Sequence, residues 1–240
     1  MRTSRFHGAV VAGVGAVMLL AAVPASAECR LALALAMDVS RSVDSRDYAI
    51  QRKGLLAALM DPGIRAAILE PDDHVALAIY EWSSRHDQWM VMGWTEIMGV
   101  EDLDRFTAGL SSHDRNSRGN LTALGAAVDF GFDLLMAAPS CTEKVLDVSG
   151  DGQNNDGIDP LLAYTRRDFG NVRVNGLAIR TYERDVAAYY RSRVIRGEGA
   201  FVEIAEGQKD FPRAIRRKLE RELGEQMIGM DGASISPSGG

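Results

Sequence analysis

Apolar residues in this chain come in short dense runs separated by amphipathic stretches. The run that opens at Leu31 (LALALAM) is too short to cross a membrane and carries no helical stripe. It predicts a strand buried on both faces. His74–Trp82, Lys144–Ser149, Val172–Ile179 and Ala200–Ile204 predict further strands, and Gln88–Trp94, reached through the turn Ser83–Asp87, an antiparallel edge strand. Helices are expected between them. Ser45–Met60 has Asp44 as cap, Asp47 in the third position and Asp61-Pro62-Gly63 as stop. Glu101–Leu110 is a short helix, and Leu121-Thr122 opens one to Ala138 with Leu124, Val128, Phe132 and Leu135 on one face. Asp159 and Pro160 start a helix running to Gly170; Asp185–Arg196 is another. Asp210–Leu223 turns Ile215, Leu219 and Leu223 inward. Such alternation predicts an α/β fold: a doubly wound, mostly parallel six-stranded sheet with helices on both faces and one antiparallel edge strand. All three tryptophans (Trp82, Trp89, Trp94) fall in the expected hairpin, where packing beneath a helix accounts for them.

The two ends stand apart from this pattern. Arg2 and Arg5, the apolar or small stretch Gly8–Val23 and Ala25-Ser26-Ala27 form a secretory signal peptide over 1–27, cleaved after Ala27. Glu28 occupies the position before Cys29 where a lipid-modified cysteine needs a small residue, which argues against a lipoprotein. Residues 28–228 then make one domain, and 229–240, Ser/Gly/Pro-rich at the end, a disordered tail. The expected location is the periplasm or the exterior, with no membrane span after cleavage. The leader holds two arginines and no acid, so the rest, with 25 basic and 33 acidic residues, carries a net charge of −8. That argues against nucleic acid or an anionic membrane as partner. Cys29 and Cys141 sit in an exported chain without a C-x-x-C or Cys/His cluster, which disfavours zinc.

The first strand breaks into Asp38-Val39-Ser40-Arg41-Ser42, a carboxylate and two hydroxyls at alternate positions. In open α/β sheets the carboxyl edge of the strands is where ligands bind. Thr122 stands in a loop at a helix start, and Asp151 follows Lys144–Ser149. Two carboxylates and three hydroxyls are hard oxygen donors suited to Mg²⁺ or Mn²⁺.

Competing enzyme patterns fail on particular residues. A haloacid-dehalogenase-type phosphatase needs a second Asp where Ser40 stands, and a hydrolase elbow at Ser149 would need glycine where Asp147 stands. No G-x-x-x-x-G-K-[ST] loop occurs, and Gly150-x-Gly152 has Asn155 in place of a third glycine. Asp151–Gly157 is similar to a calcium loop only faintly, since Gln153 replaces an acid and no Glu closes it. His74, His86 and His113 have no nucleophile partner evident in the sequence.

Asp38, Ser40, Ser42, Thr122 and Asp151 together resemble the D-x-S-x-S…T…D set of the von Willebrand factor A-type (VWA) domain and its metal-ion-dependent adhesion site. The resemblance covers about residues 29–225 and is nearest to uncharacterised exported bacterial proteins of this type. It implies a Rossmann-like VWA fold and a bound Mg²⁺ or Mn²⁺. In the family the hydroxyls are direct or near-direct ligands, and the aspartates often act through water. It further implies a binding module that captures a carboxylate of a protein partner. A metal-dependent hydrolase using Asp38 and Asp151 around an activated water is the alternative, and a scaffold without ligand a third. In the family's sheet order the hairpin Ser83–Asp87 and the loop Ser111–Asn120 flank the metal. Arg85, Arg115 and Arg118 there form a rim for an acidic ligand, or else a solvated polar surface. The same order makes strands one and four neighbours. Counting back from Asp38 and Asp151 brings Cys29 and Cys141 to the opposite edge, close enough for a disulfide, the alternative being two buried thiols.

Overall fold

The computed structural model describes residues 27–116, 121–181 and 185–233, with side chains to Gly224 in the last helix. The expected leader, apart from Ala27, and the segment Ser234–Gly240 of the expected tail lie outside the described residues. The strands are β1 (Cys29–Asp38), β2 (His74–Trp82), β3 (Gln88–Ile97), β4 (Cys141–Gly150), β5 (Arg173–Ile179) and β6 (Val202–Ala205). They form one sheet in the order β3-β2-β1-β4-β5-β6. Every pairing is parallel except β2 with β3. The chain leaves β1 toward β2 on one side and reaches β4 on the other, so strand order switches between β1 and β4. That is the position where open α/β sheets bind ligands.

The Leu/Ala alternation of β1 explains the two layers. Leu31, Leu33, Leu35 and Met37 enter a core with Leu55, Ile64, Phe106, Phe211 and Leu219, supplied by α1 (Ser45–Leu59), α2 (Pro62–Leu69), α3 (Val100–Ser112) and α7 (Phe211–Ala233). Ala32, Ala34 and Ala36 point to the other core, where the large rings of Tyr80, Trp82 and Tyr190 occupy the space that alanine leaves. That face is covered by α4 (Leu124–Met136), α5 (Pro160–Arg166) and α6 (Val186–Tyr189). Trp82 is fully buried, while Trp89 and Trp94 pack at the margins of the two cores.

Several boundaries differ from the pattern's expectation. Asp61-Pro62-Gly63 stops α1 but also starts α2. The Asp61 carboxylate accepts from Gly63 N at 2.9 Å and Ile64 N at 3.4 Å, and Pro62 takes the first helical position. The single helix expected over Asp185–Arg196 is α6 followed by a π-helical turn, Tyr190–Val194, which carries the buried Tyr190. α5 ends at Arg166 instead of Gly170. α7 continues past Leu223 to Ala233, and its glycines lower propensity without stopping the helix.

At the end of the sheet remote from Asp38, Cys29 pairs with Cys141 in register. Their Cα atoms are 4.4 Å apart, and a disulfide joins them across a sequence separation of 112. On the α7 side, Lys218 is fully buried, its Nζ 2.9 Å from Asp147 Oδ1 and 2.5 Å from Glu222 Oε1. Asn175 Nδ2 donates to the same Glu222 oxygen at 2.8 Å. Burial pushes the Asp147 carboxyl up, and Lys218 only partly offsets it.

Candidate metal centre

β1 and β4 end side by side, with Met37 opposite Ser149, so the segments that follow them share one edge. Asp38 closes β1 fully buried, and its Oδ1 accepts the Ser40 backbone N–H at 2.7 Å, which folds the chain back over the strand end. The tight turn brings Ser40 Oγ to 3.2 Å from Ser42 Oγ. Ser42 Oγ in turn donates to Asp151 Oδ1 at 2.5 Å, across 109 residues of sequence. Four of the five expected residues are therefore linked in one cluster by adjacent oxygens or by the turn.

Thr122, also buried, approaches from the loop before α4. A Cβ built on Gly152 would lie 3.7 Å from Thr122 Oγ1, so the hydroxyl borders the segment that carries Asp151. Two asparagines after β4 hold that loop. Asn155 Oδ1 accepts from Thr122 N at 2.8 Å, and Asn155 N donates to Thr122 O at 2.8 Å. Asn154 Oδ1 accepts from Gly125 N at 3.2 Å in the first turn of α4. The stretch with a faint likeness to a calcium loop is thus a brace. Its Asp156 takes the Arg85 backbone N–H and guanidinium, and those bonds hold its carboxyl below the usual range.

Partners of Asp151 that no sequence pattern announces come from farther away. Thr181 Oγ1, just beyond β5, donates to Asp151 Oδ2 at 3.0 Å, and Gln208 Nε2 approaches the same oxygen at 3.5 Å. Gln51 of α1 donates to Gln208 at 3.0 Å, which ties this chain of amides to the helical layer. A polar residue just past a strand end was the one available signal, and Thr181 carries it.

The residues fit a hard divalent cation. Asp38 Oδ2 is buried without a hydrogen-bond partner, and its carboxyl faces that of Asp151, which the Ser42 and Ser40 hydroxyls join in turn. Burial, and next the Asp151 carboxylate, push the Asp38 carboxyl up to about 7, as expected of two acids facing each other without a positive charge. Among the described residues no group of three or more His, Cys, Asp or Glu comes together to hold a metal, so a cation here must use hydroxyls as well as the two carboxylates.

The three rim arginines are placed differently from one another. Arg85 is half-exposed and paired with Asp156. Arg115 turns inward: its Nη2 donates to Val39 O at 2.7 Å and Ser40 O at 3.3 Å, and its guanidinium lies 5.7 Å from the centroid of the Tyr48 ring. Arg118 lies outside the described residues. The fully buried Glu81 anchors the same loop, accepting from Tyr48 Oη at 2.6 Å and from Asn116 N at 3.0 Å, with His113 Nε2 at 3.3 Å. His74 pairs with Glu96 at the start of β2, away from the cluster.

The family described as "Protein of unknown function (DUF1194)" matches residues 28–227. No curated protein matches the chain. Solved structures of similar shape include proximal thread matrix protein 1 from the mussel byssus, with a zinc-occupied MIDAS motif; it shares 12% identity over 82% of this chain and 46% of its own, with a TM-score of 0.59. A von Willebrand factor type A structure from Catenulispora acidiphila shares 14% identity over 84% of this chain and 43% of its own, with a TM-score of 0.57. The pilus adhesin SpaC from Lactobacillus rhamnosus GG, in an open conformation, shares 13% over 83% and 30%, with a TM-score of 0.58. The chain spans less than half the length of each. At such identities the likeness shows the fold alone, a VWA-like α/β sheet flanked by helices.

Proposed function

The chain belongs to the DUF1194 family, and from its own site we propose that it is an exported binding module. It holds a divalent cation, Mg²⁺ or Mn²⁺, through Asp38, Ser40, Ser42, Thr122 and Asp151, and captures a carboxylate of a protein partner. The observation that carries this reading is the Ser42 Oγ–Asp151 Oδ1 contact of 2.5 Å, which joins the ends of β1 and β4 beside an orphaned Asp38 oxygen. A cation bound there supplies positive charge and an open position for an external acid, with two carboxylates to neutralise it and hydroxyls that add no charge. The zinc-occupied MIDAS motif of the mussel protein and the adhesin role of SpaC are consistent with this chemistry in proteins of like fold.

Binding is favoured over hydrolysis by where the histidines stand. His113 is engaged by Glu81 and Asn116, and His74 by Glu96, so neither is aimed at the cluster as a base, which leaves the exposed His86 of the hairpin as the remaining candidate. Arg85 at the hairpin is the candidate rim cation, whereas Arg115 serves the metal-binding loop itself.

Mg²⁺ or Mn²⁺ should raise the melting temperature, because a ligand of the folded state alone stabilises it by mass action. Asp38→Ala should abolish that shift and leave a folded protein. A metal response unchanged in Asp38→Ala would overturn the site. Capture from periplasmic extract with Mg²⁺, reversed by chelator, tests the partner.

A further inference from the structure

Two polar side chains outside the cluster, Tyr190 and Trp82, meet one of its oxygens, Asp38 Oδ2, around Gly150. A Cβ built on this glycine would lie 2.6 Å from Tyr190 Oη, 2.8 Å from Asp38 Oδ2 and 3.2 Å from Trp82 Cζ2, which is two bonds from the indole Nε1. Glycine is thus the one residue that fits here, because Tyr190 Oη, Asp38 Oδ2 and the Trp82 ring close in on the place where a Cβ would stand. Tyr190 and Trp82 are fully buried, and Tyr190 Oη, Trp82 Nε1 and Asp38 Oδ2 all lack a hydrogen-bond partner. Orphaned buried groups are costly, and three in contact with one point are rarer than one alone.

Their chemistry is complementary. Tyr190 offers an O–H donor and Trp82 an N–H donor, while Asp38 Oδ2 is an acceptor. Burial pushes the Tyr190 hydroxyl's pKa well up, so it keeps its proton. Both rings reach the site from outside the five-residue set, Trp82 from the end of β2 and Tyr190 from the π-helical turn.

Resting on the metal reading above, we propose that Tyr190 and Trp82 are positioning residues for the cation site, donating to Asp38 Oδ2, directly or through one water, when Asp38 is ionised against a metal. Two donors to the carboxylate would fix its orientation and compensate its burial. Gly150 is required because any side chain would separate the donors from Asp38.

The test is Mn²⁺ binding to the purified chain by calorimetry, with melting measured in chelator and in saturating Mn²⁺. Tyr190→Phe removes the hydroxyl and keeps the ring. It should weaken Mn²⁺ binding about tenfold, the scale of a lost outer contact. Its metal-free melting temperature should be unchanged or higher, because an unpaired hydroxyl has left the core. In the wild type, Mn²⁺ should also perturb the near-ultraviolet absorbance of tyrosine and tryptophan, and Tyr190→Phe should reduce that signal. Equal Mn²⁺ affinity in the two proteins, with the wild type binding normally, overturns this proposal alone. Equal destabilisation with and without Mn²⁺ overturns it too, since that marks a merely structural hydroxyl. Failure of the wild type to bind Mn²⁺ overturns the metal reading itself. If Tyr190→Phe does not fold, Gly150→Ala, whose methyl would force Tyr190 and Asp38 apart, should weaken Mn²⁺ binding likewise, and unaltered affinity there refutes the arrangement.

Discussion

Replacing Lys218 by methionine isolates one buried charge. Methionine approximates the aliphatic stem, so the change is chiefly the loss of an ammonium that sits 2.9 Å from Asp147 and 2.5 Å from Glu222 with no exposure of its own. Asp147 is otherwise without a hydrogen bond, and Glu222 keeps the Asn175 amide at 2.8 Å. Two carboxylates then face each other in the core without a cation. Breaking a buried pair in this way costs about 3–5 kcal/mol. For a domain of this size that is roughly 6–20 °C of melting temperature. The pH dependence supplies the sharper signature. Burial first, and Glu222 with it, raises the Asp147 carboxyl in the folded state, and Lys218 opposes the rise. An acid raised on folding binds its proton more tightly in the native state, so stability falls as pH climbs from the unfolded value, about 4, through the native one. Without Lys218 that slope should steepen, and the deficit should be largest near pH 8 and shrink toward pH 5. Urea unfolding followed by circular dichroism at both pH values measures it. A loss under about 1 kcal/mol at pH 8, or an equal loss at both, would refute the claim that Lys218 is there to neutralise buried acids.

Three further outcomes follow from the same structure. Cys29→Ala/Cys141→Ala opens a loop spanning a separation of 112 residues and should lower stability by up to about 5 kcal/mol on loop entropy, read by thermal unfolding against the oxidised protein; a change below about 1 kcal/mol would contradict it. Asp38, lifted to about 7 without metal, must lose its proton to hold a cation, so calorimetric Mg²⁺ affinity should drop about tenfold per pH unit below 7 and level off above it; a flat profile from pH 5 to 8 would exclude a proton-coupled site. Glu81→Leu removes the acceptor shared by Tyr48 and Asn116 and should cost about 2–3 kcal/mol and speed amide exchange at 113–116; unchanged exchange would mean that the loop is held elsewhere.

Strands were the legible part of this chain because their cause is local. β2 runs from His74 to Trp82 as its apolar run predicts, and β1 alternates leucine with alanine because the sheet has two differently filled faces. The five oxygen-bearing residues are legible for a similar reason: each stands just past a strand end or at a helix start, where short polar residues break an apolar run. Less of their surroundings could be read. α2 is hidden because Asp-Pro-Gly ends one helix and caps the next with the same atoms. The π-helical turn has ordinary helical composition, and only the tertiary burial of Tyr190 distinguishes it. Thr181, Gln208 and Asn155 act through isolated contacts between distant segments, which leave no periodicity behind. Arg115 looked like a free surface cation because the sequence cannot show the Val39 and Ser40 carbonyls that receive it.

The disulfide lies at one end of the β1–β4 pair and the oxygen cluster at the other. Tension applied through the proposed partner would enter the two strands at Asp38 and Asp151 and run along their length. Because the two parallel strands are loaded at the same edge and in the same direction, the pull does not slide one past the other across the pairing from Cys29 to Met37. The bridge makes β1 and β4 share that load, since neither can slide past the other without breaking a covalent bond. Mechanically, the centre of the sheet is two strands joined at both ends, by the Cys29–Cys141 bridge and by the Ser42–Asp151 contact.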